Sequence, residues 1–468
     1  MTTPAARLSR AAGHGRPAAP VRIVHLGVGN FFRAHQAWYT EHATDAAEWG
    51  IAGFTGRSPA MADALGPQDG LYTLITRGPD GDSFEVISSL VAVHAAAEHD
   101  AFLAYLRSPA VAILTLTVTE AGYLRGADGR LDTALPAVVD DIAALRADPS
   151  GPVTTTPGRL VAGLLARRTA GAGPIAVVSC DNLSHNGDAV ATVVADLADE
   201  VDPSLGEWIA ANVSFGTTMV DRITPATTDQ HRHDVTAATG VVDAAPVPTE
   251  PFSEWVIQGD FPAGRPAWEA AGAQLVADVG PFERRKLYLL NGAHSLLAWA
   301  GSMLGHETVA DAIADPRCRA WVEQWWDEAC GHIPLPAADL AAYREALLGR
   351  FSNPNIRHAL AQIAADGSLK VGVRIVPTLR AELAQGRVAE GAARVVAAWV
   401  QHLRGLGAPV KDARAAEVQQ LAVGTLEETV AGVLHFLDPD LAGDERLRAA
   451  VVSQATQLAD LAREDTER

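Results

Sequence analysis

The chain has 468 residues, and its 37 basic and 56 acidic side chains give a formal net charge of −19. That balance, with no Lys/Arg block, argues against a nucleic-acid partner, and a hydrophobic share of 48% excludes a disordered polymer. Three scattered cysteines (Cys180, Cys318, Cys330) and no Cys-x-x-Cys pair exclude a disulfide framework or structural zinc site and point to a reducing cytoplasm.

In chain order, residues 1–20 are rich in Ala, Arg and Pro and read as a loose N-terminal tail. Val-Arg-Ile-Val-His-Leu at 21–26 then reads as a strand running into the turn Gly27-Val28-Gly29 and a helix. Short apolar runs at 50–54, 113–118 and 175–179 read as further strands, with helical stretches at 101–106 and 187–197. Strands alternating with helices imply an α/β domain, 21–280, built on a doubly wound parallel sheet covered on both faces. Residues 245–266, rich in proline and turn formers, read as strands or loops at its edge. From about 281 the pattern turns helical, at 282–304, 316–330, 338–348, 388–403 and 426–437, giving an all-helical domain 281–468. No apolar run approaches the roughly 20 residues that span a bilayer, so no membrane partner is expected.

Lys286, Asn291 and His294 are either a catalytic set or a solvated edge plus a satisfied core histidine. No proline interrupts 282–315, so one long buried helix is expected there. At roughly 100° per residue, His294 lies about 80° and Asn291 about 140° from Lys286, on one broad side of an α-helix. An amine, a neutral amide and an imidazole suit metal-free oxidation of a secondary alcohol. The amine removes the hydroxyl proton, while amide and imidazole hold the oxygen as it becomes a carbonyl. For that the Lys286 pKa must fall from about 10.4 toward neutrality, through desolvation and the neighbouring Arg284 and Arg285.

Gly27-x-Gly29 after the first strand matches the start of a dinucleotide-binding turn, with Phe32 in place of the usual third glycine. The candidate nucleotide contacts are Gly27, Val28, Gly29, Asn30, Phe31 and Arg33. The loop after the second strand, Arg57-Ser58-Pro59-Ala60, has no acid to hold ribose hydroxyls. Arg57 is either an acceptor of a ribose phosphate or part of an ordinary strand-end loop.

With these pieces in order, the chain resembles the polyol-specific long-chain dehydrogenases, the mannitol dehydrogenase and fructuronate reductase family. The likeness covers nearly all of 21–405. It rests on Ile-Val-His-Leu-Gly-Val-Gly-Asn-Phe-Phe-Arg-Ala-His-Gln at 23–36, Leu-Thr-Val-Thr-Glu-Ala-Gly-Tyr at 116–123 and Ser-Cys-Asp-Asn-Leu at 179–183. Further segments are Met-Val-Asp-Arg-Ile-Thr-Pro at 219–225, 286–294, Arg-Phe-Ser-Asn-Pro at 350–354 and Asp-Gly-Ser-Leu-Lys at 366–370.

The resemblance implies a Rossmann-type domain plus a helical one, with the site between them, and a zinc-independent enzyme using NAD, with NADP possible. It makes Lys286 the general base, Asn182 and Asn291 the oxyanion pair, His294 the hydroxyl-binding group and Glu120 the proton's route to solvent. Asp221 and Lys370 then line the substrate site. Gln362 stands where mannitol dehydrogenases carry arginine and fructuronate reductases glutamine, which turns the expectation away from mannitol itself. The expected substrate is a polyol or sugar acid and the expected state a monomer or weak oligomer. The rivals are a hexitol-phosphate dehydrogenase and a non-catalytic dinucleotide sensor.

Overall fold

The computed structural model describes residues 6–466. The chain divides into two compact units at Val279/Gly280, one residue before the expected boundary.

In the first unit, eight strands form one sheet: β1 (Val21–Leu26), β2 (Gly50–Phe54), β3 (Leu90–His94), β4 (Ile113–Leu116), β5 (Ile175–Ser179), β6 (Val213–Asp221), β7 (Glu254–Gln258) and β8 (Gln274–Leu275). Their spatial order is β3-β2-β1-β4-β5-β6-β7-β8. From β3 to β6 every pairing is parallel, and only β7 runs antiparallel to β6. An order of 3-2-1-4-5-6 is the Rossmann arrangement. Every residue of β2, β4 and β5 is buried, because helices cover both faces. One apolar cluster packs Phe102, Leu160, Val190 and Leu197 on one side, and another packs Phe32, Tyr39, Trp255 and Trp268 on the other. Beside this sheet, the hairpin Tyr72–Gly78 and Gly81–Ile87 pairs with Val247–Thr249.

The expectation of a loose tail is corrected for residues 6–20. Ala6–Arg7 pairs with Val241–Val242, and Leu8 is buried. Arg10 donates to the Ser88 carbonyl at 2.8 Å and to the Leu90 carbonyl at 3.1 Å, at the start of β3. An arginine-rich stretch without an apolar core docks here through guanidinium–carbonyl bonds.

The second unit is helical, its one β feature among the described residues being an isolated Thr308–Ala359 bridge. Pro316–Cys330, Ala337–Phe351, Glu390–Leu403, Leu426–Leu437 and Glu445–Thr466 pack around Trp299, Trp325, Trp326 and Trp399, all essentially inaccessible. The helix expected over 282–304 runs over 280–303 and stops before Gly305, whose φ is 83°, and a new helix, Val309–Ala314, follows. It is not α-helical throughout: within it, Lys286–Gly292 and Leu297–Gly301 are π-helical. No helix among the described residues is long and apolar enough to cross a membrane.

Candidate active site

The five places in the first unit that sequence marks for chemistry all follow C-terminal ends of the parallel strands, so the topology gathers them on one edge. The glycine turn follows β1, Arg57 β2, Glu120 β4 and Asn182 β5, and Asp221 ends β6. That edge, where strand order reverses between β1 and β4, is where doubly wound sheets take ligands.

Gly27 stands at φ 107°, and a Cβ there would lie 2.0 Å from the Thr117 carbonyl oxygen beyond β4. Glycine is therefore required. The Gly29 Cβ position is open, with only the Gly27 carbonyl at 3.8 Å, leaving room for a phosphate against the backbone and the first turn of Asn30–Ala34. Behind the turn lies His25, wholly buried and stacked on Phe32 at 3.6 Å. Its Nδ1 meets Thr115 Oγ1 at 2.8 Å, and its Nε2 lies 3.1 Å from the Gly27 carbonyl and 3.0 Å from Thr117 Oγ1. Burial pushes its pKa down to about 3, so the ring is neutral.

Val28 is buried, and Phe31 stacks on His35 at 4.9 Å. The side chains of Arg33 and Asn30 are engaged within the fold. Arg33 is 1% exposed, and its guanidinium donates to the Gly29 carbonyl, the Ala245 carbonyl and Asn30 Oδ1. The Asn30 amide donates to the Pro225 carbonyl at 2.9 Å and Thr227 Oγ1 at 3.2 Å. Both side chains brace the turn from inside, because a buried guanidinium must find acceptors within the fold. Arg57 is exposed in the bend after β2.

Beyond β4, Thr119 has φ 68° and ψ 162°. A β-branched residue held there costs on the order of 1–3 kcal/mol, and such strain gathers at functional sites. The buried Asp181 carboxylate holds it, accepting from the amides of Thr119 at 2.7 Å and Val118 at 3.2 Å and from the Tyr123 hydroxyl at 2.7 Å. Burial pushes this carboxyl up, and those three donors pull it back. One buried acid thereby fixes two exposed neighbours, Glu120 one residue past Thr119 and Asn182 next along the chain. Asp221 itself is 4% exposed.

In the second unit, the π turn changes the relation between Lys286 and Asn291. Its hydrogen bonds close at i→i+5, so a residue five along returns above the first, as one four along does in an α-helix. The 140° separation expected of an α-helix therefore narrows, bringing amine and amide toward one face. The wide turn is held by two indoles of Pro316–Cys330. Trp325 Nε1 donates to the Tyr288 carbonyl at 2.9 Å and Trp326 Nε1 to the Leu289 carbonyl at 2.8 Å. Gly292 admits the first indole, since a Cβ would sit 2.7 Å from Trp325 Nε1.

His294 is buried, 4.8 Å from the Phe351 ring and 5.0 Å from that of His358. Arg285 lies over the Tyr343 ring at 4.1 Å and the Phe282 ring at 5.2 Å. Lys370 donates to the Ile363 carbonyl at 2.9 Å and to that of Ala365, and its pKa is lowered by burial and then by Arg374. Gln362 is exposed on the short helix Leu360–Ile363.

The model of the mannitol dehydrogenase Rossmann domain matches residues 21–270, and that of the mannitol dehydrogenase C-terminal domain matches 278–459. The chain belongs to the mannitol dehydrogenase family. It is 39% identical over 395 residues to the D-mannonate oxidoreductase of Escherichia coli, covering 82% of this chain and 80% of that protein. A solved D-sorbitol dehydrogenase in substrate-free form superposes with a TM-score of 0.86 at 32% identity, covering 95% of each chain. The mannitol 2-dehydrogenase of Pseudomonas fluorescens, solved as a ternary complex with NAD and D-mannitol, superposes with a TM-score of 0.79 at 34% identity, covering 100% of this chain and 98% of that one.

Four positions in this family member escaped sequence reasoning: Asp181, Trp325, Trp326 and Arg374. The Arg374 Nη1 donates to the Asn291 carbonyl at 3.1 Å and Ser295 Oγ at 2.9 Å. Adjacent tryptophans were the one available signal, since a buried indole N–H needs an acceptor.

Proposed function

We propose that this family member is a zinc-independent oxidoreductase that interconverts a polyol or sugar acid with its keto form, using NAD or NADP. The observation that supports it most is the clamped π turn, which brings an amine and a neutral amide toward one face. A nicotinamide dinucleotide, for which the turn at Gly27 and Gly29 is shaped, supplies the hydride acceptor when bound. In the oxidising direction the Lys286 amine takes the hydroxyl proton as the carbinol C–H bond gives up its hydride and the carbonyl forms. The amides of Asn182 and Asn291 each donate to the oxygen without adding charge, and His294 binds the same oxygen. Glu120, exposed at the strand edge, passes the proton to solvent. Asp221, Lys370 and Gln362 hold the remaining substrate hydroxyls or carboxylate.

The test is a panel of mannitol, arabinitol, sorbitol, fructuronate, tagaturonate and fructose 6-phosphate, assayed with both cofactors by nicotinamide absorbance. Turnover of a polyol or hexuronate supports the reading. Turnover of the phosphate alone replaces it with a hexitol-phosphate activity, and turnover of none ends it.

A further inference from the structure

The exposed loop that carries Asn182 hangs between two buried residues, Asp181 at 6% exposure and Asn186 at 0%. Between β5 and β6 the paired register ends at Val178–Gly216, short of this loop. Thr218 Oγ1 extends the contact by donating to the Ser179 carbonyl at 2.7 Å. Beyond it the Asn186 side chain takes over. Its Nδ2 donates to the Asp181 carbonyl at 2.9 Å and to the Thr218 carbonyl at 2.8 Å, and its Oδ1 accepts from the Thr218 amide at 2.9 Å. One side-chain amide thus ties the loop after β5 to the strand that ends in Asp221, with its donors and its acceptor all used on main chain.

The surrounding chain is shaped so that this amide reaches. Asn186 is the first residue of the helix Asn186–Val201, a place inside the helix where asparagine has poor propensity and its side chain caps nothing. At Gly187 a Cβ would lie 2.3 Å from Thr217 Oγ1 and 2.8 Å from the Gly216 carbonyl oxygen, so glycine alone lets the helix start settle this close to β6. His185, just before, stands at φ 52° and ψ 41°, a left-handed conformation uncommon for a residue with a Cβ. Stability alone would account for the two bonds to Thr218. The third bond ends on the carbonyl of the Asp181–Asn182 peptide itself. A peptide is planar, so fixing its carbonyl fixes the nitrogen from which Asn182 departs. From the other side the Asp181 carboxylate is held by the Thr119 and Val118 amides and the Tyr123 hydroxyl.

We propose that Asn186 is a positioning residue for the reaction: it locks the plane of the Asp181–Asn182 peptide, so that the Asn182 amide is aimed before the alkoxide forms. The inference rests on the oxidoreductase reading above and adds a residue to it. An oxyanion donor is effective because it is already oriented when charge develops. Asn182 sits on an exposed loop, and Asn186 supplies from the core the rigidity that such a loop lacks.

The test is a double-mutant cycle on the full chain, with Asn186→Ala and Asn182→Ala made singly and together. Rates are measured with NAD or NADH on whichever of fructuronate, mannitol, arabinitol and sorbitol the parent turns over fastest. Removing an oxyanion donor costs about a hundred- to a thousand-fold in kcat, the loss expected of Asn182→Ala. Asn186→Ala leaves the donor present but misaimed and should lower kcat by about ten- to a hundred-fold, with KM and the NAD dissociation constant changed far less. In the Asn182→Ala background the same change should cost less than about threefold more, because no amide remains to be aimed. A purely structural role lowers the melting temperature and multiplies through both backgrounds alike. That result, or a kcat that Asn186→Ala leaves unaltered, would overturn the proposal. If Asn186→Ala does not melt cooperatively, Asn186→Asp carries the same cycle, since it keeps the volume and the acceptor for the Thr218 amide while losing the donors. Turnover of no polyol or acid by the parent would instead remove the oxidoreductase reading on which the proposal stands.

Discussion

The indole N–H of Trp325 donates to the carbonyl of Tyr288 at 2.9 Å, across 37 residues of chain and into the π turn that carries Lys286 and Asn291. A π turn exposes carbonyls that an α-helix keeps for its own ladder, and here two indoles take them. Without those donors the α-register would recover its hydrogen bonds, and Asn291 would swing away from Lys286.

Trp325→Phe keeps the ring and removes the donor. Leaving the Tyr288 carbonyl unsatisfied should destabilise the fold by about 1–3 kcal/mol. If the proposed roles of Lys286 and Asn291 hold, the pair moves with the turn and kcat should fall by more than KM changes. Calorimetry and steady-state rates measure both. A full loss of stability with kcat unaltered would detach the π turn from catalysis.

Lys286→Ala should reduce turnover at neutral pH by on the order of a hundred- to ten-thousand-fold, with nucleotide affinity nearly intact. Lys286 is the only lysine in the 280–303 helix, so no neighbour can replace the amine. Activity within threefold of the parent would end its assignment as base.

The parts of this fold set by short stretches of chain were legible in sequence. Helix Pro316–Cys330 begins where Asp315 caps it ahead of a proline, and Leu426–Leu437 where Thr425 and Glu428 close a capping box. The turn at Gly27 was readable because its strain is local. What sequence could not give depends on distant partners. The π turn is held by indoles far along the chain, Thr119 is strained by an acid 62 residues away, and the N-terminal segment docks onto carbonyls near β3. A period of 3.6 residues placed Asn291 correctly on a helix and wrongly around it.

Metal removal should leave activity unchanged. Among the described residues, His306, Asp315 and Cys318 are the one group whose ligand atoms lie together, within 4.8 Å. Asp315 already receives Arg317 at 2.7 Å and His306 at 3.1 Å, and burial pushes the Cys318 thiol up to about 12. A cation would have to displace a guanidinium and deprotonate that thiol. Activity lost on exhaustive chelation and restored by zinc would refute the metal-free mechanism.

Acid should weaken the first unit through His25. Its folded pKa, about 3, lies below the unfolded value of about 6.5. Between those values the unfolded chain binds a proton that the folded one does not, so stability is full above 6.5 and declines as pH falls toward 3. In that window one such group contributes about 1.4 kcal/mol per pH unit. Denaturant titrations from pH 4 to 7 on the parent and His25→Asn should differ in slope by roughly one proton. Parallel curves would mean that His25 titrates alike in the folded and unfolded chain.

Cofactor choice should depend on the loop after β2. Arg57 is exposed there, and Ala60, also exposed, opens the helix Ala60–Leu65. A ribose phosphate is attracted by a guanidinium and repelled by a carboxylate. Ala60→Asp places that carboxylate in the first turn of a helix, where an acid is tolerated, so the fold should survive the change. It should weaken NADP binding more than NAD binding. A charge interaction of roughly 1–3 kcal/mol makes the shift in preference about tenfold or more. If backbone contacts dominate and Arg57 points into solvent, both cofactors change equally. Dissociation constants for both, in parent and variant, decide between these, and an unchanged ratio would remove Arg57 from the nucleotide site and leave NAD as the default.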